Sequence, residues 1–408
     1  MKLLKNSKQL MEYFTKHIPI NQTKRTDNII IELYNDIYEA FQYLTLLKQR
    51  GVYYTIAKKK IINSYQIIRP KTFNINSLPT IVAEHINEFS IAEITYNFSL
   101  YNRNIKVHFI LEEEISSTIL NGYIDSIIMW IYILNKHASK QCANSLAIFL
   151  YFTSLKKSLP DSQTTVLNET HINTAFTRSC PKDSEIVIFR KEEWFKVLIH
   201  ETFHNFGLDF SDMNNTEAHN FILNIFKVTS DVNIYESYTE FWAEIINALF
   251  CSFFSLKNKR DIDEFLSNSE FFINFERSYS FFQLVKTLKF MGLTYKDLYN
   301  KNKKDNDVTY NEHTSVLAYY VIKTILMNNY QGFMFWCKTN NSSLIQFNKT
   351  ISNQREFCKF IEKNYKTTTM LNGIANATKF IDYLHKNSKQ NNLNYILSNM
   401  RMSICELG

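Results

Sequence analysis

Apolar residues first fall into a regular rhythm near residue 27. From there Ile30, Leu33, Ile37, Phe41, Leu44 and Leu47 recur at three- and four-residue intervals, the period of one helix face. Asp27 is suited to cap this helix and Gly51 to end it. A looser stretch follows through Pro70 and Pro79. Two strand-like runs come next, at 91–100 and 105–111, joined by Tyr101-Asn102-Arg103-Asn104, and together they read as a hairpin. Helical spacing returns over 123–137. The continuous apolar run 146–152 suits a buried strand, 172–177 a short strand and 185–189 a clearer one. The segment 191–205 is then helical. Beyond residue 220 the chain reads as helices, with Tyr238, Phe241, Ile245 and Leu249 on one stripe and Val316, Tyr320 and Ile325 on another. All the prolines (Pro19, Pro70, Pro79, Pro160, Pro181) lie in the first half, which fits a helical second half because proline breaks helices.

This order predicts an α+β protein in three parts. Residues 1–85 form an N-terminal helical lobe or cover, 86–210 a mixed sheet leading into a helix, and 211–408 a mostly helical lobe.

Composition sharpens the picture at a few points. With 408 residues and a hydrophobic fraction of 45%, the chain can build a large core and global disorder is excluded. The formal charge of +7 is scattered, with only short runs at 58–60 and 301–304. A nucleic-acid footprint clusters on one face or helix, so no nucleic-acid partner is expected. The densest apolar run, 127–134, is too short to span a bilayer, and the opening Met-Lys-Leu-Leu-Lys turns polar at once, unlike a secretory signal. No membrane partner is expected. Six widely spaced cysteines without a CxxC pair predict free thiols in a reducing, cytoplasmic setting.

The candidate chemistry lies in the helical run 191–205, at His200-Glu201-Thr202-Phe203-His204. On a helix, residues four apart share a face one turn apart, so two imidazoles can bind one Zn²⁺. Glu201 lies about 100° round the helix from His200, placed to act as a base on a water at the metal without being a ligand. Trp194, Phe195, Val197, Leu198 and Ile199 make the run strongly apolar, a strand precedes it, and Gly207 follows His204 closely enough to end the helix. The bland alternative, a coincidental HExxH, has no need of that context.

The continuation His204-Asn205-Phe206-Gly207-Leu208-Asp209-Phe210 approaches the metzincin pattern, but Phe210 stands where the third histidine belongs. A glutamate from a second helix is the other route, and Glu236, Glu240 and Glu244 lie at helical spacing. Glu240-Phe241-Trp242-Ala243-Glu244 resembles the Glu-Phe-Phe-Ala-Glu stretch of the anthrax lethal factor type of peptidase. The resemblance covers the two helices and part of the sheet. It implies a zincin fold of the gluzincin type, one bound zinc and a polypeptide substrate. On it Glu240 is the expected third ligand, with Ala243 allowing close helix approach and Glu244 steadying a histidine. Glu236 and Glu244 are the alternatives, and Glu236 is the stronger of the two because Thr239 and Glu240 follow it at the same offsets. The overall character resembles proteins of large DNA viruses, which implies the host cytoplasm or a virion as its place.

Tyr235 and Tyr238 precede the expected ligand, and His313 lies farther on. The resemblance makes Tyr238 and His313 candidates to stabilise an oxyanion, although with 24 tyrosines a core role is the simpler account of each. Asp209 is a candidate to hold a histidine through its second ring nitrogen. Glu192 and Glu193 are expected to favour the helix N-terminus electrostatically. The expected function is zinc-dependent peptide hydrolysis with Glu201 as general base. The rival is a non-catalytic protein that keeps the fold for binding or assembly, for instance in a virion. Sequence leaves the oligomeric state open.

Overall fold

The computed structural model describes residues 21–74, 77–300, 310–386 and 391–406. The N-terminal pentapeptide, Pro19 and the basic run at 301–304 lie outside them.

The described chain is α+β. It opens with α1 (Lys24–Gln49), β1 (Thr55–Lys60) and α2 (Thr80–Phe89), and continues with β2 (Ala92–Leu100), β3 (Arg103–Leu111), α3 (Ser117–His137) and β4 (Ser145–Phe152). A single helical turn α4 (Glu169–Ile172) leads to β5 (Ala175–Thr177), β6 (Asp183–Ile188) and α5 (Trp194–Asn205). Helices then dominate: α6 (Thr216–Ile225), α7 (Ile234–Ser255), α8 (Ile262–Phe290), α9 (Lys323–Asn328), α10 (Tyr330–Asn340), α11 (Ile351–Asn364), α12 (Thr368–Lys386) and α13 (Asn391–Ser398). A stretch of π-helix, Leu317–Ile322, runs directly into α9.

The six strands form one mixed sheet in the order β1-β2-β3-β4-β6-β5. β1, β2 and β3 are antiparallel, β3, β4 and β6 are parallel, and β5 closes one edge antiparallel to β6. One face of the sheet, including Val107, Phe109, Ile148, Leu150, Ile186 and Ile188, shares a continuous core with α1, α3, α5, α7 and α8. The other face carries a smaller cluster, in which Val82 and Ile86 of α2 cover Ile110, Phe149 and Val187. Helix α3 is long and apolar enough to cross a membrane by length and composition, but 61% of its apolar window is buried inside the fold.

Several sequence expectations shift. α1 starts earlier than Asp27, because Thr23 is the cap and its hydroxyl accepts from Thr26 N. The segment 172–177 is divided: a helical turn ends at Ile172 and β5 begins at Ala175. Within residues 1–85, as far as they are described, β1 pairs with β2 and α1 contributes Ile30, Leu33 and Ile37 to the main core. Finally, Cys142 and Cys180 form a disulfide, against the expectation of free thiols, while Cys251, Cys337, Cys358 and Cys405 are free and buried.

Candidate metal centre

Helix α5 is held on nearly every side. Leu198, Ile199 and Phe203 are fully buried, and Trp130 Nε1 donates to Thr202 Oγ1 at 2.8 Å. It ends as the sequence suggests, at Gly207 in the left-handed region (φ 67°). Leu208 N donates to Phe203 O and Gly207 N to His204 O, a Schellman stop that glycine permits without a side-chain clash. Its start differs: Glu193, also left-handed (φ 58°), is the cap, so the helix begins at Trp194 and not at 191.

This frame turns His200 and His204 toward the first turn of α7. Their Nε2 atoms lie 3.2 Å apart. Glu236 Oε2 lies 3.1 Å from Nε2 of His200 and 3.4 Å from Nε2 of His204. The other nitrogen of each ring faces a different carboxylate. Nδ1 of His200 is 2.8 Å from Glu240 Oε2, and Nδ1 of His204 is 2.5 Å from Asp209 Oδ2. Asp209 is in turn held by the hydroxyls of Ser211 (2.9 Å) and Thr239 (3.4 Å). Glu240 is held by the buried ammonium of Lys196, one helical turn before His200, at 2.6 Å.

The arrangement fits a metal ion. With the Nδ1 protons directed to carboxylates, the neutral rings turn lone pairs at Nε2 toward each other and toward Glu236. Three acceptors then converge with no proton between them unless the rings gain a second one. Their separations match a tetrahedral zinc ion, whose ligand atoms stand about 3.3 Å apart when each bond is about 2.05 Å. His200, His204 and Glu236 form the one such group among the described residues. Without an ion the carboxylates favour that second proton, which a metal at Nε2 would displace. Burial works against charging either histidine, yet the facing carboxylates hold both above their usual range. Burial opposes ionisation of Glu236 as well, but the two histidines pull its carboxyl well below the carboxylate range.

The third member of the cluster is therefore Glu236, one turn before the expected Glu240. Glu240 sits against the far side of the His200 ring and is already tied to Lys196. Seen from Glu236, the residue three later is Thr239, which reaches Asp209, and the acid four later is Glu240, which holds His200. Glu244 does not touch a histidine. It pairs with Lys323 at 2.6 Å and meets Ser280, and burial pushes its carboxyl well up.

The other candidates separate clearly. Glu201 is 7% exposed, and its carboxyl makes no hydrogen bond among the described residues. It lines a cavity of about 30 Å³ with His200, Asn173, Ala175, Val197 and Tyr319, and burial raises its pKa against the pull of both histidines. Tyr238 is fully buried on another face of α7, where its hydroxyl donates to Ile345 O at 3.0 Å and accepts from Asn341. It is a core residue. His313 is exposed and joins the fold through its backbone N–H to Leu167 O, so nothing brings its ring to the cluster. Tyr235 packs its ring edge-on to His204, centroids 5.9 Å apart.

Two residues escaped the sequence reading. Tyr319 donates its hydroxyl to Glu236 Oε2 at 3.0 Å and packs near the His200 ring. Lys196 neutralises Glu240. Only their position was visible: Lys196 lies four before His200, and Tyr319 lies beside Tyr320 in a noted helical stripe. Glu192 and Glu193 lie before the first turn of α5, the Glu193 side chain makes no capping bond to it, and both carboxylates are engaged elsewhere. Glu192 Oε1 accepts from Lys157 N, while Glu193 pairs with Lys157 Nζ at 2.8 Å and accepts from Met402 N and Ser403 N.

A larger cavity, about 770 Å³, lies over the opposite face of the sheet, lined by Asn97, Lys106, His108, Ala147 and Glu185, and contains none of the cluster. Compared with protein-family models, with curated proteins and with solved structures, the chain matches none of them.

Proposed function

We propose that the chain is a zinc-dependent peptidase of the zincin class, with His200, His204 and Glu236 as ligands and Glu201 as general base. The observation that carries this reading is the convergence of three acceptor atoms at 3.1–3.4 Å beside a carboxyl free of hydrogen bonds. A structural metal site has no need of that extra carboxyl. Zinc held there would supply a Lewis acid for the scissile carbonyl and would make water more acidic.

The remaining chemistry belongs to the chain. Glu201 takes a proton from the attacking water and passes it to the leaving amine. Tyr319, across the same cavity, is placed to donate its hydroxyl to the charge that develops on the carbonyl oxygen. Glu240 and Asp209 hold the two imidazoles by their Nδ1 protons and keep Nε2 turned to the ion. β5, at the edge of the sheet, offers unpaired backbone groups to an extended polypeptide.

The small cavity supports the rival reading, a non-catalytic protein using the same fold for binding or assembly. About 30 Å³ beside Glu201 holds a few waters and no peptide, so hydrolysis requires the cleft to widen. The two readings part in one experiment. Purified chain with one zinc per molecule, incubated with an unfolded protein, yields fragments if it is a peptidase, and none from Glu201→Gln. Zinc without any fragments favours the binding protein.

A further inference from the structure

The Cys142–Cys180 disulfide lies directly behind the last turn of α5. Cys180 N donates to His204 O at 3.2 Å. A Cβ added to Gly207 would stand 3.5 Å from both Cys142 Sγ and Cys180 Cβ, so the cross-link packs closely against the turn that ends the helix. The same turn carries the chain from His204 to Asp209, which holds the His204 ring.

Both segments joined by the bond are fastened to this region. The Cys180 segment links β5 to β6. At its start Thr177 Oγ1 accepts from Asn205 Nδ2 at 2.8 Å, and farther on Ser179 bonds Ser211, itself a partner of Asp209. The Cys142 segment follows α3. Arg103 donates to the carbonyls of Cys142 and Ala143 and lies over the ring of Phe206, 4.9 Å from its centroid. Ala143 N and Asn144 N donate to Pro181 O and Lys182 O. Cys142 and Cys180 are 38 residues apart, so the covalent bond fixes two loops that otherwise meet through a few backbone hydrogen bonds.

We infer that this disulfide is a positioning element of the candidate metal centre and makes its affinity for zinc depend on redox state. The inference rests on His200, His204 and Glu236 holding a metal. Oxidised, the pair pins the loop that bonds His204 O and backs the His204–Asp209 turn. Reduced, that turn loses its covalent backing, and the ring orientation set by Asp209 loosens. The exposures of the two residues define the chemical step. Cys142 is fully buried, while Cys180 is partly exposed. A thiolate from an external dithiol attacks Cys180 Sγ, the S–S bond breaks, and Cys142 Sγ leaves with the electron pair and takes a proton. The second thiol of the reductant then displaces Cys180, so two electrons and two protons pass to the pair and the reductant becomes a disulfide.

The test measures zinc affinity of the full chain by competition with a chelating dye, before and after treatment with a phosphine reductant. Reduction is expected to weaken binding by on the order of tenfold or more, the scale of losing support to a ligand. The double variant Cys142→Ser/Cys180→Ser is expected to match the reduced protein and to ignore the phosphine. Equal affinity in the two redox states of the native chain overturns the inference and leaves the metal centre standing. Zinc bound in neither state overturns both. Should the double variant fail to fold, the native chain compared before and after reduction still decides.

Discussion

Glu240 Oε2 lies 2.8 Å from Nδ1 of His200, whereas Glu236 Oε2 lies 3.1 Å from Nε2 of the same ring. The two glutamates sit one helical turn apart on α7 and grip opposite sides of one imidazole. This division fixes their roles: the Nε2 side also meets His204, and the Nδ1 side meets a carboxylate already tied to Lys196.

Alanine variants of the two glutamates should therefore differ in kind. Glu236→Ala should remove a ligand and abolish stoichiometric zinc. Glu240→Ala should leave the three ligand atoms in place and weaken zinc by about 10- to 100-fold. Elemental analysis and chelator competition read both. Zinc retained by Glu236→Ala and lost from Glu240→Ala would return the assignment to the residue expected from sequence.

Glu201→Gln keeps the shape of the side chain and removes its basicity. Zinc content should be unchanged and turnover of a polypeptide substrate should fall by on the order of 10³. A variant that loses zinc, or that turns over normally, is incompatible with the role given to Glu201.

Tyr319 and Tyr238 make a contrasting pair. Tyr319→Phe should retain zinc and lower kcat by about 10²-fold or more, the scale of losing one donor to an oxyanion. Tyr238→Phe removes the hydroxyl's bonds to Ile345 O and Asn341. It should cost about 1 kcal/mol of stability and leave kcat unchanged. Rates and denaturation midpoints on both variants separate the two roles.

How much of this was legible in the chain follows from the kind of information each feature needs. The motif helix was legible because Trp194, Phe195, Val197, Leu198 and Ile199 form an apolar run that a helix buries. Its stop at Gly207 was legible because φ 67° favours glycine. β1 was not, because Thr55–Lys60 is an edge strand exposed at every residue and shows no alternation of burial. The choice between Glu236 and Glu240 depends on the axial offset of α7 against α5, and two acids on one stripe look alike in sequence. Tyr319 was hidden by the number of tyrosines and by a separation of 83 residues from Glu236. The disulfide was hidden in the same way, since neither cysteine has a neighbouring partner in sequence.

Glu193 offers a test of what anchors the start of α5. Its carboxylate pairs with the buried ammonium of Lys157 and accepts from Met402 N and Ser403 N. Burial disfavours the charge, but Lys157, Lys196 and Arg401 hold the carboxyl down at about 2. Glu193→Ala would leave a buried cation and two backbone donors unpaired, and should destabilise the fold by roughly 3–5 kcal/mol. Urea denaturation measures it. A loss under ~1 kcal/mol, the range of an ordinary exposed ion pair, would show that the 402–403 segment does not depend on this contact.

Glu312 gives a pH dependence away from the cluster. It accepts from Leu317 N at 3.0 Å and from Ser230 Oγ, so it ties the loop before α7 to the start of the helical segment that carries Tyr319. Burial raises its pKa to about 7, against the lowering by these donors. The folded state thus binds this proton more tightly than the unfolded chain, where a glutamate titrates near ~4.3. The sign follows from linkage: the stabilisation is fully present below the unfolded value and is lost as pH rises through about 7. Each tenfold difference in proton affinity is worth about 1.4 kcal/mol, so the loss approaches roughly 3–4 kcal/mol. Glu312→Gln keeps an oxygen to accept from Leu317 N and cannot ionise. Its stability relative to the native chain should therefore rise between pH ~4.3 and pH ~7 and level off above. Denaturation of both proteins at a series of pH values reads the difference directly, and a difference that stays flat over this range would mean that Glu312 titrates as an ordinary exposed glutamate.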